Sequence, residues 1–190
     1  MIRRTLFSIA AALTLGACSG FSLPEQPTAS LPPDAVIGAG DPLRAAVAST
    51  STVFSSPDRL AGRPAVAAQA IAQMEYLAVE LPDNPRLSGA AAMSRVQFEA
   101  ARREWRSALG IPGDVPPQPV IDALYASARA LRAGQSEAAA AALPVSIFPR
   151  GGAATLQRLA SLPALPLTNQ AAVGAHEALR RNEGVSRGRL

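Results

Sequence analysis

Residues 63–81 read RPAVAAQAIAQMEYLAVEL, and this stretch decides the fold class. Its apolar side chains recur at steps of three and four residues, whereas Gln69, Gln73 and Glu80 fall on the other side. That spacing is typical of an amphipathic helix with one face in a core. Turn residues at 82–85 end the helix. The predicted core stripe comprises Val66, Ala70, Ile71, Met74, Leu77, Ala78 and Leu81.

The flanking sequence continues the helical pattern on both sides. Asp41 and Pro42 suit the N-cap and first turn of a helix, because the carboxylate accepts an unpaired amide and proline has no amide hydrogen. A serine and threonine run at 49–52 weakens that helix. Gly134 suits a helix end with a left-handed backbone, and Ser136 can cap the next helix. The further predicted helices span 42–54, 88 or 89–109, 120–133, 137–143, 153–162, and 168 or 169–181.

Proline-rich breaks separate these segments. We therefore predict one all-α domain over residues 41–183, an irregular bundle or short array of about five to seven helices joined by proline-rich loops. Residues 145–148 are expected to form a short extended stretch that docks on the helices. Residues 18–40 are predicted to be a proline-rich, extended tether, and residues 184–190 a disordered basic tail.

The predicted helix at 88–109 carries one apolar and one charged face. The expected charged face comprises Arg95, Glu99, Arg102, Arg103 and Arg106. A solvated surface is the favoured interpretation, and a surface for an anionic partner or a lipid headgroup is the alternative. Trp105 lies on the apolar face, so we expect it to anchor the core rather than to stack on a ligand.

The N-terminus has the layout of a secretory signal peptide. Arg3 and Arg4 precede an apolar run at residues 6–15, which is half the length needed to span a membrane. Residues 15–18, Leu-Gly-Ala-Cys, resemble the lipobox of bacterial lipoproteins. The resemblance implies that residues 1–17 are cleaved and that Cys18 carries a diacylglycerol thioether and an acylated amine. An ordinary secretory signal with an accidental cysteine is the alternative.

The same resemblance predicts the cellular location of the protein. Ser19, rather than an aspartate, follows Cys18, which in that family most often means sorting to the periplasmic face of the outer membrane, with the inner membrane as the alternative. Cleavage after residue 17 of the 190 leaves 173 residues, enough for one domain. The formal charge falls from +4 to +2 because Arg3 and Arg4 are lost, so we expect no nucleic-acid role.

Several kinds of catalytic chemistry are excluded or unsupported. All 18 basic residues are arginines, which excludes a lysine Schiff base or a lysine general base. His176 is the only histidine, and its place on the apolar side of the last helix favours a structural role. Lipid on Cys18, the only cysteine, removes thiolate nucleophiles and thiolate zinc sites. No serine lies in a Gly-x-Ser-x-Gly motif. We expect no catalytic residue, no metal site and no cofactor.

Residues 123–143 are similar to a tetratricopeptide-type helical hairpin. Gly134 would form its turn, and Glu137 and Ala138 would follow it. A second copy at a 34-residue period is lacking, so the sequence does not establish a repeat array.

These patterns favour a lipid-anchored, non-catalytic structural or interaction protein of the bacterial envelope. Its role would be that of a scaffold or assembly factor for an envelope partner, with the lipid on Cys18 as its membrane contact. A carrier of a small apolar ligand held between helices is the first alternative. A hydrolase that uses a serine or a pair of carboxylates is the second.

Overall fold

Helix α2, Pro64–Glu80, is the central element of the protein. A computed structural model describes residues 28–35, 40–82, 84 and 91–187, without the side chains of 91–93 and 185–187. Helices α1, α3, α4 and α6 all pack on α2, and its contact with α4 is the most extensive. Gln73, predicted on the polar side, is buried, because α2 is covered on most of its circumference. The other helices are α1 (Pro42–Phe54), α3 (Ala91–Leu109), α4 (Pro117–Arg132), α5 (Ser136–Ala141), α6 (Gly152–Ala160) and α7 (Pro166–Arg187).

The predicted all-α fold is confirmed. The described residues form seven α-helices and two 3₁₀ turns, Pro33–Ala35 and Pro57–Arg59, and contain no strand. Helices α1, α2, α4 and α7 each begin with a proline, whose missing amide hydrogen costs nothing in the first turn. Proline-rich connections join the helices, so prolines both end one helix and begin the next.

Helix α1 is continuous despite its serine and threonine run. Asp41 caps it as predicted, because its carboxylate accepts the amide of Leu43 at 3.0 Å. The hydroxyl of Thr50 donates to the carbonyl of Ala46 at 2.7 Å, and Thr52 donates to Ala48 at 2.9 Å. These bonds to the preceding turn satisfy the hydroxyls without ending the helix.

Helices α4 and α5 form a hairpin that leads into α6. Gly134 lies at the turn with φ of +73°, as its predicted role requires. The predicted Ser136 cap is wrong, because Ser136 is already the first residue of α5 and Gln135 occupies the N-cap position. At Gly152 the start of α6 meets α5 so closely that a Cβ atom would lie 1.9 Å from the carbonyl oxygen of Ala140.

Other segments also differ from the sequence prediction, and α4 begins at Pro117 rather than at residue 120. Residues 145–147 form turns rather than an extended stretch, and they place Phe148 in the core while Val145 stays exposed. Helix α7 begins at Pro166 and runs to Arg187, past the predicted domain end at residue 183. Residues 188–190 of the predicted tail lie outside the described residues.

The N-terminal part of the described chain lies on the helices. Residues 28–35, which fall within the predicted tether, contact α2 and α4 through hydrogen bonds and an ion pair. We call residues 28–35 the strap. The signal sequence at residues 1–17 and the lipidation residue Cys18 lie outside the described residues.

Candidate functional site

Glu75, near the C-terminal end of α2, is the centre of a buried charge cluster. Its side chain is fully buried, and both carboxylate oxygens accept hydrogen bonds from α3. Oε1 accepts from Trp105 Nε1 at 2.8 Å and from Arg106 Nε at 2.7 Å. Oε2 accepts from Arg106 Nη2 and from Arg102 Nη2, each at 2.9 Å. The carboxylate therefore joins α2 to α3 through four donors.

Arg106 extends this cluster to the loop before α4. Its Nη1 donates to the carbonyl oxygens of Pro112 at 3.1 Å, Gly113 at 3.3 Å and Val115 at 2.8 Å. A guanidinium group has five donors in a rigid plane, so a single side chain can hold a carboxylate and a loop together. The arginine thus joins this loop to Glu75.

The predicted solvated face of α3 is only partly correct. Arg95, Glu99 and Arg103 are exposed as expected, but Arg106 is buried and Arg102 is half-buried. Burial of these cations is possible because Glu75 supplies the opposite charge from α2. Removal from water lowers the pKa of Arg102, an effect that the charge of Glu75 opposes.

Trp105 is fully buried, which confirms its prediction as a core anchor. Its indole N–H needs a buried acceptor, and Glu75 provides one. Both oxygens of the carboxylate hold neighbouring helix groups, so the geometry supports a structural role for this cluster.

The strap is held on α2 and α4 by polar contacts near the surface. The Asp34 carboxylate accepts two hydrogen bonds from Arg129, at 2.6 Å from Nε and 2.8 Å from Nη2. The amide of Ala29 donates to Glu80 Oε1 at 3.2 Å. Gln118 accepts the amide of Ser30 at 2.8 Å and donates to its carbonyl at 3.2 Å. Ala29, Leu31 and Ala35 add partly buried apolar contacts.

The electrostatics of the strap centre on Asp34. Its hydrogen bond to Arg129, helped by the nearby charge of Arg132, holds the pKa of Asp34 below the ordinary value of 3.8. The same hydrogen bond raises the pKa of Arg129. The Arg129 guanidinium lies 6.0 Å from the ring centroid of Tyr125, whose own pKa is raised mainly by burial. The ion pair itself is open to solvent, with side-chain exposures of 46% for Arg129 and 56% for Asp34.

These contacts fix the direction of the strap. Ser30 lies at the first turn of α4, beside Gln118, and Asp34 lies beside Arg129 in its last turn. The strap therefore runs parallel to α4, and it enters where α2 ends and α4 begins.

No family model, curated protein or solved structure matches this chain.

A small cleft lies between the end of α1 and the connection from α6 to α7. Its volume is about 150 Å³, and Phe54, Leu60 and Leu165 line it together with Asp58 and Ser161. An apolar cavity of this volume accommodates a single six-membered ring. Sites for drug-sized ligands have volumes of about 300–1,000 Å³, so the cleft is small for a carrier of such molecules.

The sequence-predicted site residues are not brought together. His176 lies half-buried on α7, Trp105 lies in the core, and Cys18 is outside the described residues. Within residues 28–35, 40–82, 84 and 91–187, no three His, Cys, Asp or Glu side chains form a group that could hold a metal ion. In the same part of the chain, no helix is both long enough and apolar enough to cross a bilayer.

Sequence reasoning missed the buried cluster at Glu75 and the contact of Asp34 with Arg129. Glu75 interrupts an apolar stretch, and this is the one signal that could have indicated a buried carboxylate. The strap residue Asp34 carries no such signal, because its partner Arg129 is 95 positions away.

Proposed function

We propose that this protein is a lipid-anchored, non-catalytic scaffold or assembly factor of the bacterial cell envelope. Lipid on Cys18 would hold it at the periplasmic face of the outer membrane, as Ser19 favours. The sequence Leu-Gly-Ala-Cys at residues 15–18, directly after a short apolar run, is the observation that carries this proposal.

Carboxylates of the described residues bind groups of neighbouring helices, and these structural contacts support a non-catalytic role. Glu75 binds three side chains of α3. Glu104 caps α7, since its carboxylate accepts the amide of Leu167 at 3.1 Å and both the amide and hydroxyl of Thr168 at 2.8 and 2.7 Å. These carboxylates keep helices in fixed positions, which suits a protein that presents a rigid surface to a partner.

The anchor is tested by Cys18→Ala, with Ser22→Ala as the matched control. Cells are fed an alkyne-labelled fatty acid, and membranes are washed at high salt before the protein is detected. We expect the unmodified chain and the control to carry label and to stay with the membrane. We expect Cys18→Ala to carry no label and to leave the membrane. A membrane-bound, unlabelled Cys18→Ala protein would contradict the anchor.

The interaction role is tested with photo-crosslinking side chains in intact envelopes. Exposed positions such as Val96 on α3 and Val145 after α5 are suitable. A captured envelope protein is then purified, and its affinity is measured by calorimetry. We expect micromolar or tighter binding. If no captured protein binds the purified chain, the scaffold proposal fails.

A carrier of a small apolar ligand is the second candidate, and the cleft at Phe54, Leu60 and Leu165 favours it. Ala164→Leu would fill the cleft, whereas Ala154→Leu adds the same side chain at an exposed site on α6. A carrier predicts that toluene raises the melting temperature saturably in the Ala154→Leu variant but not in Ala164→Leu. The scaffold proposal predicts no difference between the two variants.

A further inference from the structure

We propose that the strap is releasable and that its release lengthens the membrane tether of the domain. This inference rests on the proposed anchor at Cys18. The tether predicted from the sequence spans residues 18–40, and docking of residues 28–35 would shorten it to residues 18–27. With the strap released, the tether extends to Gly40, just before the cap of α1.

The strap lies on the surface of the helices rather than within their core. None of its residues is fully buried; Ala29, Leu31 and Ala35 are partly buried, and Asp34 is exposed. The helices beneath it pack through their own side chains, among them Ile71, Leu77 and Leu124. The strap can therefore leave without opening the contact between α2 and α4.

The contacts that hold the strap are sensitive to solution conditions. Its ion pair, Asp34 with Arg129, is about half exposed on both sides. The other charged group near Asp34 is Arg132, which lies on α4 together with Arg129. Salt screens exposed pairs of this kind, and such pairs contribute little to stability. Docking thus rests on a few exchangeable bonds near the surface and on small, partly buried apolar contacts.

Release changes the reach of the tether by a measurable amount. Ten residues from 18 to 27 span at most roughly 30 Å in a polyproline-like conformation, whereas the 23 residues from 18 to 40 span roughly 70 Å. Flexible chains of the same lengths have end-to-end distances of roughly 19 and 29 Å. The domain therefore gains between about 10 and 40 Å of distance from the bilayer.

Docking also sets the orientation of the domain. The strap enters beside Glu80 and Gln118, at the end of the bundle where α2 ends and α4 begins. While it is docked, a short tether keeps this end towards the bilayer. Once it is released, the chain leaves from Asp41 at the start of α1, and the domain can turn.

The experiment uses the mature chain, residues 18–190, coupled through its only cysteine to a maleimide phospholipid in a supported bilayer. Asp34→Asn is compared with Glu183→Gln, a matched control that alters another partly exposed carboxylate, the partner of Arg44. Hydrogen exchange of residues 28–35 measures docking, neutron reflectometry measures the height of the domain, and circular dichroism checks that its helices are intact.

We expect the strap amides of Asp34→Asn to exchange at least tenfold faster than those of the unmodified chain. We also expect the domain of this variant to lie at least 10 Å farther from the bilayer. Raising the salt from 20 to 500 mM should shift the unmodified chain in the same direction. The Glu183→Gln control should match the unmodified chain in both measurements. Arg129→Gln, which removes the other half of the ion pair, should reproduce Asp34→Asn.

Two results would overturn the inference. One is equal exchange of residues 28–35 in the unmodified chain and in both strap variants. The other is fast exchange with no change in height. Thiol coupling does not depend on lipid processing in cells. A failure of fatty-acid labelling in cells therefore contradicts the proposed anchor, and it is distinguishable from these two results.

Discussion

Glu75 holds its position only as part of a complete set of partners. One indole and two guanidinium groups occupy its two oxygens, and the cluster as a whole retains one positive charge. Desolvation of such a group costs several kcal/mol, and the surrounding hydrogen bonds offset that cost. Removal of the carboxylate would leave Arg106 buried without its counter-charge.

We predict that Glu75→Ala lowers the free energy of unfolding by about 3–5 kcal/mol, the usual cost of breaking a buried ion pair. Urea denaturation followed by circular dichroism measures this loss. The control is Glu177→Ala, because Glu177 pairs with Arg181 at the surface at 3.7 Å and its removal should cost less than about 1 kcal/mol. Similar losses in both variants would show that the buried cluster contributes no more than a surface pair.

Asp34 makes docking of the strap dependent on pH. Its pKa is lower in the docked state than the ordinary 3.8, so docking is favoured at neutral pH and the gain is lost as the pH falls through the lowered value. We predict that exchange of residues 28–35, corrected for the intrinsic rate, accelerates as the pH falls below the ordinary pKa of 3.8. Asp34→Asn should abolish this dependence. A strap whose protection is the same throughout that range would contradict the assigned role of Asp34.

At the scale of single elements, the contact between α5 and α6 depends on the absence of a side chain. A Cβ atom on Gly152 would lie 1.9 Å from the carbonyl oxygen of Ala140 and 2.6 Å from its carbonyl carbon. Both are backbone atoms, so one helix must move to admit a methyl group. Leu143 and Phe148, which lie between α5 and α6 in the sequence, are both buried.

We predict that Gly152→Ala destabilises the protein by about 1–3 kcal/mol, the range found for overpacked cores. Gly184→Ala is the control, because Gly184 lies in α7 with nothing within 4 Å of its added Cβ. That change should be neutral or stabilising by about 0.5–1 kcal/mol, as alanine favours a helix. Thermal unfolding of the two variants distinguishes them, and an equally stable Gly152→Ala protein would contradict the close packing.

The sequence predicts the start of α1 correctly, but it predicts the starts of α4 and α7 too late, at 120 and at 168 or 169 instead of Pro117 and Pro166. Asp41 and Pro42 mark the start of α1, and Gly134 marks the turn that follows α4. A cap at Thr168 or Asn169, the local pattern behind the late predicted start of α7, is wrong, because α7 already begins at Pro166. Thr168 instead binds Glu104, 64 positions away, and a contact of that range leaves no local pattern in the sequence.

For the whole molecule, apolar periodicity was sufficient to predict an all-α fold. It was not sufficient to predict the polar clusters that connect the helices. Periodicity records which face of a helix is apolar, but it does not tell which charged side chain meets a counter-charge on another helix. Arg106 and Arg103 look alike in the sequence, yet one is buried against Glu75 and the other is exposed. Residues 28–35 fall within the predicted tether for the same reason, because nothing near Asp34 in the sequence indicates its partner Arg129.

Mass spectrometry of the N-terminal peptide tests the central claim most directly. The protein is purified from membranes and digested with trypsin, whose first cleavage site after Cys18 is Arg44. We predict a peptide of residues 18–44 that carries a diacylglycerol group on the cysteine thiol and an acyl chain on its amine. A mature N-terminus at another residue, or an unmodified Cys18 in the membrane-derived protein, would contradict the account.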